Sequence, residues 1–419
     1  MARVAVTSCV YLGDVAPFIP VARRLHDAGH DVVFVAPEGF RSVLEAEPFA
    51  FHPYALDCSP AAMHADPVHA NLMRHPTRNV ARLGRYWMDR AFADAPADAV
   101  RSLQEGFDGA DVVVTHPTMG VVTIPVAQSM GARVVAGHLF PMMIPTAHWT
   151  PPLGSRSPSL PAPVNRALWS VLRGMTARSF RDDAINATRA QLGRPPLRGA
   201  AGWAWLEADA TVVLASRHYY GDGAPDWPPV TWGGFSIWTG PDGQELDPAL
   251  DRHLDGGDPP VLVMLGTSAA SSAGDQFARI AGDLDRRGLR SVLLVGDAAN
   301  LDAVAGRPGA VTFAPITSLL PRCRAAVVSG ALGGVAAALS AGVPVVVHPQ
   351  LFDQVWHGRR VQDLGVGLLA RRTREVAGAV QRIVDDGGYA VRARTLADRM
   401  AGEDGAAVMV EVVESLLAG

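Results

Sequence analysis

The stretch AVVSGALGGVAAALSAGVPVVVHPQLFDQ, residues 326–354, decides the fold. It opens on an apolar strand, Ala326 to Val328. A turn of small residues follows, Ser329 to Gly334, and then an alanine-rich helix from Val335 to Ala341. Gly342 ends that helix, Pro344 keeps it from resuming, and Val345 to Val347 form the next buried strand. A strand that runs through glycines into a helix leaves unpaired backbone N–H groups at the positive end of the helix dipole, a ready seat for a phosphate. The candidates there are Ser329, Gly330, Gly333, Gly334 and Val335. The competing account is that a tight strand–helix turn needs glycine simply to close.

The same alternation extends upstream. Residues 261–265 read as a strand ending at Gly266-Thr267-Ser268, with a helix over about 275–287 and further strands at 290–295 and 311–314. The N-terminal half repeats the pattern. Strands are expected at 3–9, 31–36, 111–115, 133–136 and 211–215, with a helix from Phe18 to Ala28 completing a right-handed βαβ unit. Residues 51–109 read as helical and polar-rich. Ligands of doubly wound sheets bind beyond the carboxyl ends of the strands, and Asp14, His116 and His138 fall at such ends. Residues 145–163 are dense in Pro and Ser and read as a loop, a candidate lid over an apolar acceptor.

The expected organisation is therefore α/β, with two doubly wound domains and a cleft between them. Residues 1–220 form the first domain, 221–258 a linker rich in Gly, Pro and Asp, and 259–404 the second domain. A final helix, 405–419, packs back toward the first. The chain has 419 residues, a length for two to three domains. Apolar residues make up 48%, charged residues 19%, and the net charge is −4, which leaves no basic excess for nucleic acid. The three cysteines, Cys9, Cys58 and Cys323, are widely spaced and odd in number. They suit free thiols in a reducing cytoplasm better than disulfides. No metal-ligand spacing, signal peptide or membrane-spanning run is present in the sequence.

Four segments carry a family resemblance: Gly13-Asp14-Val15-Ala16-Pro17, ATRAQLGRPPL at 187–197, Leu265-Gly266-Thr267-Ser268, and AAALSAGVPVVVHPQLFDQ at 336–354. In that order they resemble family 1 glycosyltransferases of the GT-B fold, the bacterial natural-product and sterol or glycolipid type. The resemblance covers nearly the whole chain. It implies two facing Rossmann-like domains, the first for an acceptor and the second for a UDP- or TDP-sugar, with no cofactor and no metal; a homodimer is compatible with it. Such relatives usually carry a His-Gly-Gly-x-Gly-Thr turn at the diphosphate. Here Ser329 falls where that histidine would be, Ala331 replaces one glycine, and Gly334 stands for the threonine.

Within that resemblance Asp14 is the implied general base, removing the proton of the acceptor hydroxyl as it attacks the anomeric carbon. It would need a pKa raised by partial desolvation. On spacing alone Asp14 reads equally well as a helix N-cap. His116 would orient Asp14 or touch the acceptor, and His138 and Phe140 would line the acceptor pocket. Gly266, Thr267 and Ser268 would approach the diphosphate, and Pro315 and Ile316 the base. Asp353 and Gln354 would bind sugar hydroxyls, where a carboxylate and an amide can satisfy adjacent groups; the alternative for Asp353 is a cap on the helix that begins near Val355. The implied reaction is inverting transfer of a sugar to a hydroxyl of an apolar natural-product or lipid-like acceptor. The rivals are a nucleotide-sugar epimerase of the same plan, and a binding protein impaired in catalysis.

Overall fold

The computed structural model describes the chain apart from residues 9–11, 57–59, 74, 76–77, 152–159, 241–244, 267–272, 297, 305 and 351–353. It divides into two compact units. The first comprises Met1–Trp238 with Glu403–Gly419, and the second Thr239–Gly402.

The first unit is built on a seven-stranded parallel sheet. Its strands are β1 (Arg3–Thr7), β2 (Asp31–Pro37), β3 (Ala50–Tyr54), β4 (Val112–Thr115), β5 (Arg133–His138), β6 (Ala210–Val213) and β7 (Thr231–Trp232), in the order β3-β2-β1-β4-β5-β6-β7. The central strands are unbroken apolar runs because both faces are covered, as parallel sheets require. VVVT of β4 is buried at every position. On one face a core gathers Val113, Phe107, Ile124 and Leu103. Two short helices lead from β1 toward β2: α1 (Leu12–Val15) and α2 (Ile19–Asp27), the latter burying Ile19, Val21, Ala22 and Leu25.

The second unit has a six-stranded parallel sheet. Its strands are β8 (Val261–Met264), β9 (Ser291–Leu294), β10 (Ala310–Val311), β11 (Ala325–Val328), β12 (Val345–Val347) and β13 (Gly367–Leu369), in the order β10-β9-β8-β11-β12-β13. The helices that matter below are α3 (Gln276–Asp285), α4 (Leu332–Ser340), α5 (Gln354–Asp363) and α6 (Thr373–Asp385). The strand order reverses between β8 and β11, which makes that junction the switch point of the sheet.

Some expectations need correcting. The segment 221–258 is not plain linker: it carries β7, which extends the first sheet, and a helix, Pro248–Asp255, capped by the Asp247 carboxylate. Strand β3 lies inside the stretch read as helical. Its Pro53 is tolerated because β3 is an edge strand, where one N–H can be lost from the ladder. Helix α4 begins at Leu332, three residues before Val335. The terminal helix α7 (Gly405–Ala418) belongs to the first unit and packs on α2 and on β5 and β6. Gly405 fits there because a Cβ on it would collide with the Gly234 carbonyl oxygen.

Candidate functional site

Asp14 is the third residue of α1, inside the first turn and not at its N-cap. Its backbone carbonyl accepts a hydrogen bond from the Ser8 hydroxyl at 2.8 Å, which ties the helix start to the end of β1. His116 follows β4, the neighbour of β1. The Thr118 N–H donates to His116 Nδ1 at 3.2 Å, so the ring proton resides on Nε2. That Nε2–H lies 3.9 Å from Asp14 Oδ1, just beyond hydrogen-bond reach, and it has no other hydrogen-bond partner among the described residues. The His116 side chain is 4% exposed and that of Asp14 21%. Burial pushes the His116 pKa down to about 3, so the ring is neutral at pH 7. The edges of Phe18 and Phe140 pack on it at 6.0 and 6.1 Å between ring centres.

His138 is the residue expected to line an acceptor pocket. It is buried at the end of β5, where its Nδ1 accepts from the Phe140 N–H at 3.2 Å and its ring meets Trp205 at 5.0 Å. Burial, with His116 nearby, pushes its pKa down to about 3. Phe140 is only partly buried. Sequence reasoning missed Asp226, whose carboxylate takes the Ala147 N–H at 2.7 Å and the Thr146 hydroxyl, pinning the root of the Pro/Ser-rich loop. Trp149 packs on Trp227, and Trp227 on Trp232, at that root. An aspartate in a Gly/Pro-rich segment reads as a turn residue, so no sequence signal marked it.

In the second unit, Ser329 ends β11 and is 2% exposed. Its Oγ accepts the Ala331 N–H at 3.3 Å, a local turn that aims the chain into α4. No side chain caps α4. Val335 N–H bonds to the Ala331 carbonyl at 3.2 Å, the first hydrogen bond within the α4 turn. A Cβ on Gly333 would meet nothing within 4 Å, so that turn faces open space. Gly266, at φ +79°, brings the β8 turn to Ser329: a Cβ there would lie 3.2 Å from Ser329 Oγ. The ends of β8 and β11 thus meet at the switch point. Gln354 is buried, and its Oε1 accepts the Gln350 N–H at 2.7 Å, bracing the loop before α5. Pro315 is buried and Ile316 partly so; Phe313, two residues earlier, is a large aromatic 48% exposed that sequence reasoning passed over. Thr267, Ser268 and Asp353 lie outside the described residues.

Residues 284–418 match the family model of the erythromycin biosynthesis protein CIII-like C-terminal domain. Over 96% of its length the chain is 29% identical to glycosyltransferase GtfC of Amycolatopsis orientalis, covering 99% of that protein. It is 28% identical to O-mycaminosyltylonolide 6-deoxyallosyltransferase of Streptomyces fradiae, with 98% and 97% of the two chains aligned. Along nearly its whole length the chain is similar to natural-product glycosyltransferases. Solved glycosyltransferases share its GT-B fold. SsfS6 of Streptomyces sp. SF2575, complexed with thymidine diphosphate, superposes with TM-score 0.63 at 20% identity over 99% of this chain and 100% of its own. The kitacinnamycin glycosyltransferase reaches TM-score 0.69 at 19% identity, over 99% and 98%.

In this chain the ATRAQLGRPPL segment has an architectural task. Arg189, 1% exposed, forks onto both oxygens of Glu207 at 2.8 and 2.7 Å, and its Nε donates to the Pro195 carbonyl at 2.8 Å. Cys323 is buried, and burial pushes its thiol pKa up to about 12, which makes it inert; Cys9 and Cys58 lie outside the described residues. No described helix is long and apolar enough to cross a membrane.

Proposed function

We propose that this glycosyltransferase moves a hexose, with inversion and without a metal, from a thymidine- or uridine-diphosphate sugar to a hydroxyl of an apolar natural-product acceptor. The observation that carries the reading is the Asp14–His116 pair. A buried neutral imidazole holds an N–H toward a carboxylate that stays partly open to solvent. A buried N–H without a full hydrogen bond is disfavoured by about 1–3 kcal/mol, and such groups concentrate where a site must work. The His116 N–H steers the carboxylate toward the acceptor hydroxyl.

In the reaction the acceptor oxygen forms a bond to the anomeric carbon while its proton passes to the Asp14 carboxylate. The bond from that carbon to the diphosphate oxygen breaks on the opposite side, and the leaving group takes the electron pair. One displacement inverts the configuration. The N–H groups of Leu332, Gly333 and Gly334, at the positive end of α4, receive the charge that grows on the diphosphate. Ser329, in place of a histidine, leaves this to the main chain. Gln354 with Asp353 is assigned to the sugar hydroxyls, and Phe313 with Pro315 and Ile316 to the base.

The thymidine diphosphate complex of SsfS6 favours a thymidine nucleotide. Relatives named for tylonolide, rebeccamycin and vancomycin chemistry favour a polycyclic, macrocyclic or peptidic natural-product acceptor. The test is Asp14→Asn. Turnover should fall by about 10²–10⁴-fold with thymidine diphosphate affinity unchanged. Full turnover in that variant eliminates Asp14 as base, and a product with retained anomeric configuration eliminates the single displacement.

A further inference from the structure

The second unit carries a polar pocket on the side of its sheet away from α4. The chain leaves β8 through α3 to β9 and leaves β11 through α4 to β12, in opposite directions along the sheet. Right-handed crossovers therefore put α3 and α4 on opposite faces. Helix α6 joins α3 on its face, and Phe277, Ile280 and Leu284 share a core with Val376, Val380 and Ile383. The first turns of α3 and α6 and the end of β12 line an open pocket of about 740 Å³, within the size range of small-molecule sites.

The floor of this pocket is a hydrogen-bonded network. His348 is 4% exposed, and its Nδ1 donates to the Ala370 carbonyl at 2.8 Å. Its Nε2 is then an acceptor, which the Thr373 hydroxyl reaches at 3.4 Å; Gln276 Oε1 lies 3.2 Å away. The Gln276 and Gln350 amides join at 3.2 Å. Burial holds the His348 pKa below the usual imidazole range, so the floor is uncharged at pH 7.

The walls are basic. Arg279, Arg371, Arg372 and Arg374 line the pocket, against Asp275 alone. Asp275 engages Arg279 at 3.6 Å, and Glu375, just outside, lies 3.9 Å from Arg372. Among the described residues Arg371 and Arg374 have no carboxylate in ion-pair range. Four guanidiniums against two carboxylates leave two positive charges uncompensated, in a chain whose net charge is −4. Planar guanidinium forks over a neutral hydrogen-bonding floor match the geometry of phosphate oxygens.

We propose that this pocket is a second anion site, separate from the donor seat at α4, for a small molecule bearing a phosphate or pyrophosphate group held by Arg371 and Arg374. Gln350 connects the two regions. Its side chain belongs to the pocket floor, and its N–H holds the side chain of Gln354, the first residue of α5.

The probe is inorganic pyrophosphate, titrated calorimetrically into the full chain at low ionic strength, where surface charges are least screened. The titration is run with thymidine diphosphate saturating the donor seat. One pyrophosphate should still bind per chain. Arg371→Gln/Arg374→Gln should weaken it by about tenfold or more and leave thymidine diphosphate affinity unchanged. Both side chains are exposed, so the fold is not at stake. Absence of pyrophosphate binding, or equal affinity in wild type and double variant, overturns the proposal. So does a parallel loss of thymidine diphosphate affinity, which would make these arginines part of the donor seat. Should thymidine diphosphate not bind at all, the donor reading fails by itself, and wild type against double variant without nucleotide still decides the pocket.

Discussion

Gly330 lies so close to Gln354 that a Cβ on the glycine would sit 2.9 Å from the Gln354 carbonyl oxygen. The same Cβ would be 2.7 Å from Val347 Cγ1, and the residue holds φ +93°. The turn that leads into α4 and the first residue of α5 can touch only because residue 330 has no side chain. Gly330→Ala should therefore destabilise the second unit by about 2–4 kcal/mol, through overpacking and a strained backbone together. Thermal unfolding of the variant checks this, and an unshifted transition would show that the two segments can move apart freely.

Gly333, three residues on, gives the opposite expectation. Its Cβ position is open, so Gly333→Asp meets no steric barrier, and a carboxylate in the first turn of a helix is favourable by about 0.3–1 kcal/mol. The variant should be as stable as wild type or slightly more so. Thymidine diphosphate binding should nonetheless weaken by about tenfold or more, because the new charge occupies the phosphate seat. Calorimetry and a melting curve on the same sample read both effects. Unchanged nucleotide affinity would remove α4 from the donor site.

Three buried histidines predict the response to acid. Burial depresses the pKa of His116, His138 and His357 from the ordinary 6.5 to about 3. Between those values the unfolded chain binds protons that the folded chain refuses, so stability rises with pH across this window and is level above it. Urea midpoints should agree between about pH 7 and pH 8 and fall steadily from about pH 6.5 to pH 5. His138→Asn should flatten part of that slope. An acid slope identical to wild type would mean that His138 titrates in the folded state.

Arg189 is the buried end of an ion pair whose partner, Glu207, is about one-third exposed. Arg189→Met keeps the volume but strands the carboxylate and frees the Pro195 carbonyl. A loss of about 2–4 kcal/mol is expected in the first unit, less than for a fully buried pair because water reaches Glu207. Equilibrium unfolding measures it. Activity of the remaining folded protein should be unaffected, which separates this residue from Asp14.

The strands legible in the sequence were those at the centres of the sheets. DVVVT at 111–115 and AVV at 326–328 are continuous apolar runs because both of their faces are covered. The three strands that were missed, β3, β7 and β13, all lie at sheet edges. There one side lacks a partner, burial is incomplete, and short runs such as AFHPY carry little apolar pattern. The helix start at Leu332 differs for a related reason: glycines at 333 and 334 read as turn, although they lie in the first turn of α4.

The sequence by itself determined the α/β alternation, the glycine-lined turn before α4 and the resemblance in the four motifs, because each depends on residues close together in the chain. Only the tertiary structure decided which of the named residues lie side by side. It set His116 opposite Asp14, packed His138 against Trp205 and brought Arg371 and Arg374 around the same pocket as His348 and Gln276. Those pairings join residues tens to a hundred positions apart, and their distances follow from sheet order and helix packing, which no local pattern encodes.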